Sequence, residues 1–376
     1  MFADNPLVED LDIPKLARGL TSYIKRVLIQ TTVAEGLPDI LNDYKSILEL
    51  ANYMNIKDSK LFRELIISLV KLGVVEQKGD LFKWIGGEVR VTREEEEVKT
   101  LADPWIKLLQ LYFKKLPDML KGKTRIQRQE PGIWDSIYST PLYQALWINA
   151  MKTLNITSDS TVLEVGCKTG WSTINLLKTY EPKNIIAVDF NQDFLSVAED
   201  NISNILPDKR FKVTFIRHDF TGEVDFTGLL GDVKPDKIIV SYLFHWYNET
   251  DYLNIISNLK RCMAENADIV FLQPHIAYRN QTSFFQLPLY VEEGFKGYPL
   301  LETLANSIIT AGLTTPKREF NLYLYSKNSL ESAKPLKISA DPPKYCKICG
   351  GILQENAFFC AYCRNIVDFN VNLSLL

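Results

Sequence analysis

The segment Val162-Leu-Glu-Val-Gly-Cys-Lys-Thr-Gly170 joins a β-branched apolar run to a glycine turn, and Ile185-Ile-Ala-Val-Asp189 brings a second apolar run to a carboxylate. A strand, a turn that opens a helix and a second strand ending in an acid make the first βαβ unit of a doubly wound sheet. In such sheets ligands lie over the carboxyl ends of the strands. The turn itself narrows the ligand. Gly166-Cys-Lys-Thr-Gly170-Trp lacks the G-x-G-x-x-G on which a dinucleotide pyrophosphate rests. Lys168 lies between the glycines rather than after them, so the phosphate loop G-x-x-x-x-G-K-[ST] is not present either. Acids instead mark three successive strand ends: Glu164, Asp189, and Asp219-Phe220 after Val213-Thr-Phe-Ile-Arg-His. Such a set suits a ligand with an ammonium and a sulfonium and no phosphate.

These residues resemble class I S-adenosylmethionine-dependent methyltransferases, whose first motif is E/D-x-G-x-G-x-G and whose further cofactor acids follow the second and third strands. Glu164, Gly166, Gly170, Asp189 and Asp219 stand on those positions. The middle glycine is Lys168, a side chain that can crowd the methionine moiety. Some O-methyltransferases of the class carry E-I-G-x-x-T-G-Y-S with a non-glycine there, and Glu164-Val-Gly-Cys-Lys-Thr-Gly-Trp-Ser172 is similar to it. The resemblance implies S-adenosylmethionine as cofactor. It assigns Glu164, Gly166, Cys167, Thr169, Gly170, Asp189, Phe190, Asp219, Phe220, Ser241 and Tyr242 to the cofactor site.

Lys237-Ile-Ile-Val-Ser-Tyr-Leu reads as a fourth strand and Ala267-Asp-Ile-Val-Phe-Leu as a fifth, with the helical period of Tyr252 to Met263 between them. Leu301 to Ala311 reads as a helix stopped by Gly312, and Lys317 to Tyr325 as a closing hairpin. The fold class expected is α/β, a Rossmann-like doubly wound sheet over residues 151–328. The 376 residues leave room for further modules, and 46% hydrophobic with 24% charged residues is ordinary for a soluble protein. The start of the chain has no basic segment leading into an apolar core, and no uncharged apolar stretch is long enough to span a bilayer. A cytoplasmic protein with no membrane contact is expected.

Residues 1–100 read as helices followed by a hairpin around Lys78-Gly-Asp, which is a winged helix. The helix Lys60 to Leu72 carries eight apolar residues and only Lys60, Arg63 and Lys71 as cations, whereas a recognition helix needs polar groups toward base edges. A net charge of −3 adds no pull on nucleic acid. The module order is similar to small-molecule O-methyltransferases whose winged helix forms a dimer interface, and that resemblance implies a homodimer. The acidic run Glu94 to Glu97 reads as a solvated helix start. Residues 101–150 form a connection in which Trp134 to Leu154, rich in aromatics, lines the substrate cavity of the similar enzymes or is plain core.

After a proline-marked linker, 329–343, the pairs Cys346-Lys-Ile-Cys349 and Cys360-Ala-Tyr-Cys363 stand ten residues apart. Two such pairs can place four thiolates around one zinc, so residues 344–368 read as a four-cysteine zinc ribbon followed by a tail, 369–376, against a pair of disulfides, which cytosolic thiols do not form. So small a module could not build a core unaided, which makes metal binding its folding energy. A protein or nucleic-acid partner is open to the ribbon. Cys167 and Cys262, the other cysteines, have no base beside them in sequence.

Methyl transfer from a sulfonium is an in-line displacement in which alignment supplies most of the rate, up to about 10⁸ M in effective molarity, while a general base adds about 10² to 10⁴-fold. The O-methyltransferases carry L-x-H-D-W-x-D-E after the fourth strand. Leu243-Phe-His-Trp-Tyr-Asn-Glu249 aligns on Trp246, which puts Phe244 at the base position and His245 beside it. His245 is therefore the catalytic candidate, against a purely structural histidine. Tyr278 to Tyr290 follows the fifth strand, where this class often builds an acceptor lid. The expected function is methyl transfer to oxygen of a small aromatic or apolar molecule. A protein or RNA methyltransferase recruited through the ribbon, and a non-catalytic regulator in which Lys168 spoils the turn, are the alternatives.

Overall fold

The computed structural model describes residues 12–87, 90–123, 125–127, 130–222, 231–276, 286–319 and 323–328. The ribbon cysteines Cys346, Cys349, Cys360 and Cys363, the linker, and residues 278–285 of the expected lid lie outside the described residues. The described residues fall into two compact units, 12–126 with 286–292, and 127–276 with 293–328.

The first unit is a helical domain with a small sheet. Its long helix α1 (Ile13–Ala34) is opened by the Asp12 side chain, which accepts from the Lys15 amide, and by a proline in the first turn. Leu16, Tyr23, Ile24 and Leu28 recur at helical spacing and are buried. Short α2 (Leu37–Ile40) and β1 (Lys45–Ser46) lead to α3 (Ile47–Tyr53), capped by a reciprocal Ser46–Glu49 box. Helix α4 (Ser59–Lys71) buries Leu61, Phe62, Leu65, Ile66 and Leu69. Strands β2 (Val75–Lys78) and β3 (Leu81–Trp84) then pair antiparallel around the Lys78-Gly-Asp turn, and β3 lies between β1 and β2. Helices α5 (Arg93–Leu101) and α6 (Asp103–Leu120) complete the unit, and a 3₁₀ turn at Pro288–Val291 packs on α6.

The acidic run is not all solvated, which corrects the sequence reading. Glu95 on α5 is fully buried and takes Arg26 of α1 in a forked contact, Nε at 2.8 Å and Nη2 at 2.5 Å. Gly19 permits the pairing, since a Cβ there would run into the Glu94 carbonyl. Removing one member of a buried pair typically costs about 3–5 kcal/mol. Lys99 stays 3.8 Å from Glu95 and offsets part of that. Arg26→Ala should therefore lower stability by about 2 kcal/mol in denaturant unfolding, whereas the exposed neighbour change Glu96→Ala should stay within about 0.5 kcal/mol. Equal effects of the two would remove the pair from the account.

In the second unit, α7 (Pro131–Tyr138) and α8 (Pro141–Lys152) precede β4 (Thr161–Val165), α9 (Trp171–Thr179), β5 (Asn184–Asp189), α10 (Gln192–Ile205), β6 (Val213–Arg217) and β7 (Lys237–Ser241). There follow α11 (Tyr252–Cys262), β8 (Asp268–Leu272), α12 (Leu301–Thr310), β9 (Lys317–Glu319) and β10 (Tyr323–Lys327). The sheet runs β6-β5-β4-β7-β8-β10-β9, parallel through β8 and antiparallel at the closing hairpin. Its parallel strands are apolar on both faces because helices cover both. Leu163, Val165, Ile238, Val240, Ile269 and Phe271 face α11 and α12. Val162, Ile185, Ala187, Ile239 and Val270 alternate with them and face α8, α9 and α10. Because Trp147, Ile148 and Met151 of α8 belong to that second layer, α8 is part of this unit. Among the described residues no helix is long and apolar enough to cross a membrane.

Candidate functional site

The strand order reverses direction between β4 and β7, and there the carboxyl ends of β4, β5 and β7 bring Glu164, Asp189 and Ser241 toward one turn. Gly166 and Gly170 sit at φ 80° and 82°, where a side chain is disfavoured. A Cβ on Gly166 would meet the Ser241 carbonyl oxygen at 2.6 Å, so the turn lies almost on the end of β7. Gly170 opens α9 as its N-cap.

The carboxylates are used differently. Glu164 is fully buried and accepts hydrogen bonds from the hydroxyls of Ser172 and of Thr173, the latter at 2.6 Å. Burial pushes its carboxyl above the ordinary value, with those two hydroxyls and the Lys168 charge pulling the other way. It ties the end of β4 to the first turn of α9. Asp189 accepts the amide of Lys168 at 3.1 Å on one oxygen and that of Asn191 at 3.0 Å on the other. Each oxygen keeps a lone pair to offer. Asp219 is exposed and accepts from the Tyr247 hydroxyl at 3.1 Å and the Thr221 amide at 3.0 Å. Phe220 is buried, with its ring edge-on to His218, and Phe190 is half-buried.

Every residue from Val162 to Gly170 is buried. Cys167 and Thr169 are 1% and 0% exposed, so neither side chain is presented at the surface. Burial also raises the Cys167 thiol well above its ordinary value, which leaves no thiolate for nucleophilic work. Cys262 is likewise pushed up to about 12 by burial. The cover over the turn is Lys168. Its ammonium lies 3.2 Å from the carbonyl oxygens of Gly166 and Ser241 and from the Ser241 hydroxyl, and above the rings of Tyr242 at 4.9 Å and Tyr138 at 5.4 Å. Tyr143 stacks on Tyr242 at 5.7 Å and meets Tyr138 at 4.6 Å, so α7 and α8 supply an aromatic wall.

The family model described as a methyltransferase domain matches residues 162–266, which span β4 through α11 and hold this turn. The chain carries a methyltransferase domain. Over 130 residues it is 28% identical to the malonyl-[acyl-carrier protein] O-methyltransferase of Halalkalibacterium halodurans, covering 33% of this chain and 43% of that protein. The chain therefore matches less than half the length of this curated relative. Among solved structures it is similar to the CurJ carbon methyltransferase, at 14% identity and a TM-score of 0.56 over 89% of this chain and 95% of that one. An O-methyltransferase family 2 protein from Planctomyces limnophilus, solved with apigenin, gives 13% and 0.50 over 84% and 94%. At these identities the likeness is one of fold, and it extends to the N-terminal helical unit.

In the methyltransferase domain His245 lies in a 3₁₀ turn after β7 and is 7% exposed. The Gln273 amide is oriented by its own contacts: its oxygen accepts the Phe244 amide at 3.0 Å and its nitrogen donates to the Pro274 carbonyl at 2.9 Å. That nitrogen also lies 3.2 Å from His245 Nδ1, so Nδ1 accepts and the proton of the neutral ring is assigned to Nε2. Phe244, at the base position of the similar enzymes, is packed against Tyr252 and Phe271. Sequence reasoning missed Gln273, Tyr247 and the Ser172–Thr173 pair, because each acts through a partner on another element. S-adenosylmethionine fits the remaining acceptors of Asp189 with its ribose hydroxyls, and bound there it would supply an electrophilic methyl.

Proposed function

We propose that the chain is an S-adenosylmethionine-dependent methyltransferase acting on oxygen of a small aromatic or apolar molecule. The observation that carries the reading is the glycine turn between β4 and α9 with the Asp189 carboxylate hydrogen-bonded to it. The turn lies inside the matched domain and has no phosphate cradle. In this reading Asp189, Phe190, Asp219 and Phe220 hold the nucleoside, and Ser241 and Tyr242 border the reacting end. The aromatic wall of Tyr138, Tyr143 and Tyr242 supports a flat or apolar acceptor, a reading to which the apigenin held by the Planctomyces protein lends support.

The engagement of His245 Nδ1 by Gln273 leaves that nitrogen unable to take a proton, which favours one kind of acceptor oxygen. An acceptor that must lose a proton needs a base, whereas a carboxylate is ionised before it binds and needs only alignment. Methylation of a carboxylate gives an ester, which alkali cleaves to methanol, while methyl ethers and C-methyl groups survive. Incubating the protein with methyl-labelled S-adenosylmethionine and separate metabolite and macromolecule extracts tests both points. Label in the metabolite fraction that alkali releases supports the reading. Stable label there returns a base to the mechanism, label only in protein or RNA favours recruitment through the ribbon, and no label at all favours the regulator.

The N-terminal unit we read as a winged-helix dimerisation domain, supported by the sheet order β1-β3-β2 and the buried face of α4. The C-terminal cysteines we read as a zinc ribbon on their spacing. Metal analysis of reduced protein should then give one zinc per chain, lost when the chain is ended near Ser339, while S-adenosylmethionine binding persists because its site lies in a separately cored unit. Reduced protein free of zinc would end the metal assignment.

A further inference from the structure

We infer that Lys168 is a specificity-determining residue. Its ammonium fills a cation seat at the strand ends that the aminoacyl end of an S-adenosyl ligand would need, so that end adds little to affinity while Lys168 holds the seat. The inference rests on the cofactor reading above.

Three uncharged acceptors form the seat, with the Glu164 carboxylate in the same turn also feeling the Lys168 charge. Three oxygens, from Gly166, Ser241 and the Ser241 hydroxyl, stand at 3.2 Å from Nζ and match the three N–H bonds of an ammonium. The Tyr242 and Tyr138 rings add their faces, an arrangement that attracts a cation most strongly where water is excluded. Lys168 is 5% exposed, so water is excluded. The backbone is bent to achieve this. Lys168 and Tyr242, which face each other across the seat, both sit at positive φ, 53° and 48°. Non-glycine residues in that region cost of order 1–3 kcal/mol each and persist only where the surroundings hold them.

The seat also shares its turn with the nucleoside site, because the Lys168 amide is the donor to Asp189. A ligand whose ribose is held at Asp189 and whose tail crosses Gly166 reaches Gly166 O and Ser241 O, which already hold an ammonium. Two cations cannot share one set of three oxygens. An S-adenosyl ligand with an amino-acid tail must expel Lys168 and lose its hydrogen bonds and ring contacts. A ligand ending in a methylthio group need not.

Calorimetry with S-adenosylhomocysteine and with methylthioadenosine, which lacks the amino-acid tail, reads this directly and requires no acceptor. The wild-type protein should bind the two within about threefold of each other. Lys168→Met should raise affinity for S-adenosylhomocysteine by at least about tenfold and leave methylthioadenosine within about threefold, while Lys168→Arg, which keeps the cation, should keep the wild-type ratio. Thermal unfolding checks that the variants are folded, and Lys168→Gly, relaxed at positive φ, replaces the methionine variant if that one is not. Unchanged or weaker S-adenosylhomocysteine binding in the folded neutral variants would overturn the inference and leave the cofactor reading in place. Binding of neither ligand by any form would overturn the cofactor reading, and the inference with it.

Discussion

Asp189→Ala is expected to abolish binding of S-adenosyl ligands, with an affinity loss of at least about 10²-fold in calorimetry. Hydrogen bonds to a charged group contribute about 1.5–3 kcal/mol each, and a carboxylate at this strand end offers two to a ribose, which sums to about 10² to 10⁴-fold. The loss has a second source in this protein. Asp189 is the acceptor for the amides of Lys168 and Asn191, so its removal also frees the glycine turn and the start of α10. Asp189→Asn separates the two, since its single carbonyl oxygen still accepts while the charge is gone. An intermediate loss in Asp189→Asn assigns the difference to charge. Wild-type affinity in Asp189→Ala would remove Asp189 from the site.

The strands and the turn were legible because parallel strands covered on both faces must be largely apolar, as Ile185 to Val188 and Ile238 to Val240 are throughout and Val162 to Val165 is but for Glu164. What stayed hidden depended on partners distant in sequence. Four consecutive glutamates carry no mark showing which is buried, and Glu95 is singled out only by Arg26, 69 residues earlier. Glu164 stands on the motif position of a cofactor acid, and its hydrogen bonds from Ser172 and Thr173 come from the following helix. The partner of His245 Nδ1 is Gln273 after β8, which no spacing around the histidine announces. Lys168 was readable as a departure from the motif. That its ammonium would find two carbonyls and two tyrosine rings required the end of β7 and the helix α7 to be in place.

Gly166→Ala is expected to lower stability by about 2–5 kcal/mol and to remove ligand binding with it, because two independent penalties fall on one methyl group. An L-residue held in the left-handed region costs about 1–2 kcal/mol, and φ at Gly166 is 80°. The added Cβ would also stand 2.6 Å from the Ser241 carbonyl oxygen, a backbone atom tied into β7 that cannot swing aside as a side chain would. Forcing β4 and β7 apart there adds a further overpacking cost of about 1–3 kcal/mol. Relief would come only by moving the end of one strand, which displaces the Ser241 oxygen and so dismantles the cation seat. Gly132 in α7 provides the control: a Cβ there meets nothing within 4 Å, and alanine improves helix propensity. Gly132→Ala should therefore match or slightly exceed wild-type stability in denaturant unfolding and keep wild-type ligand affinity. If Gly166→Ala is as stable as Gly132→Ala and binds S-adenosylhomocysteine normally, the close approach of the turn to β7 is not what shapes the site.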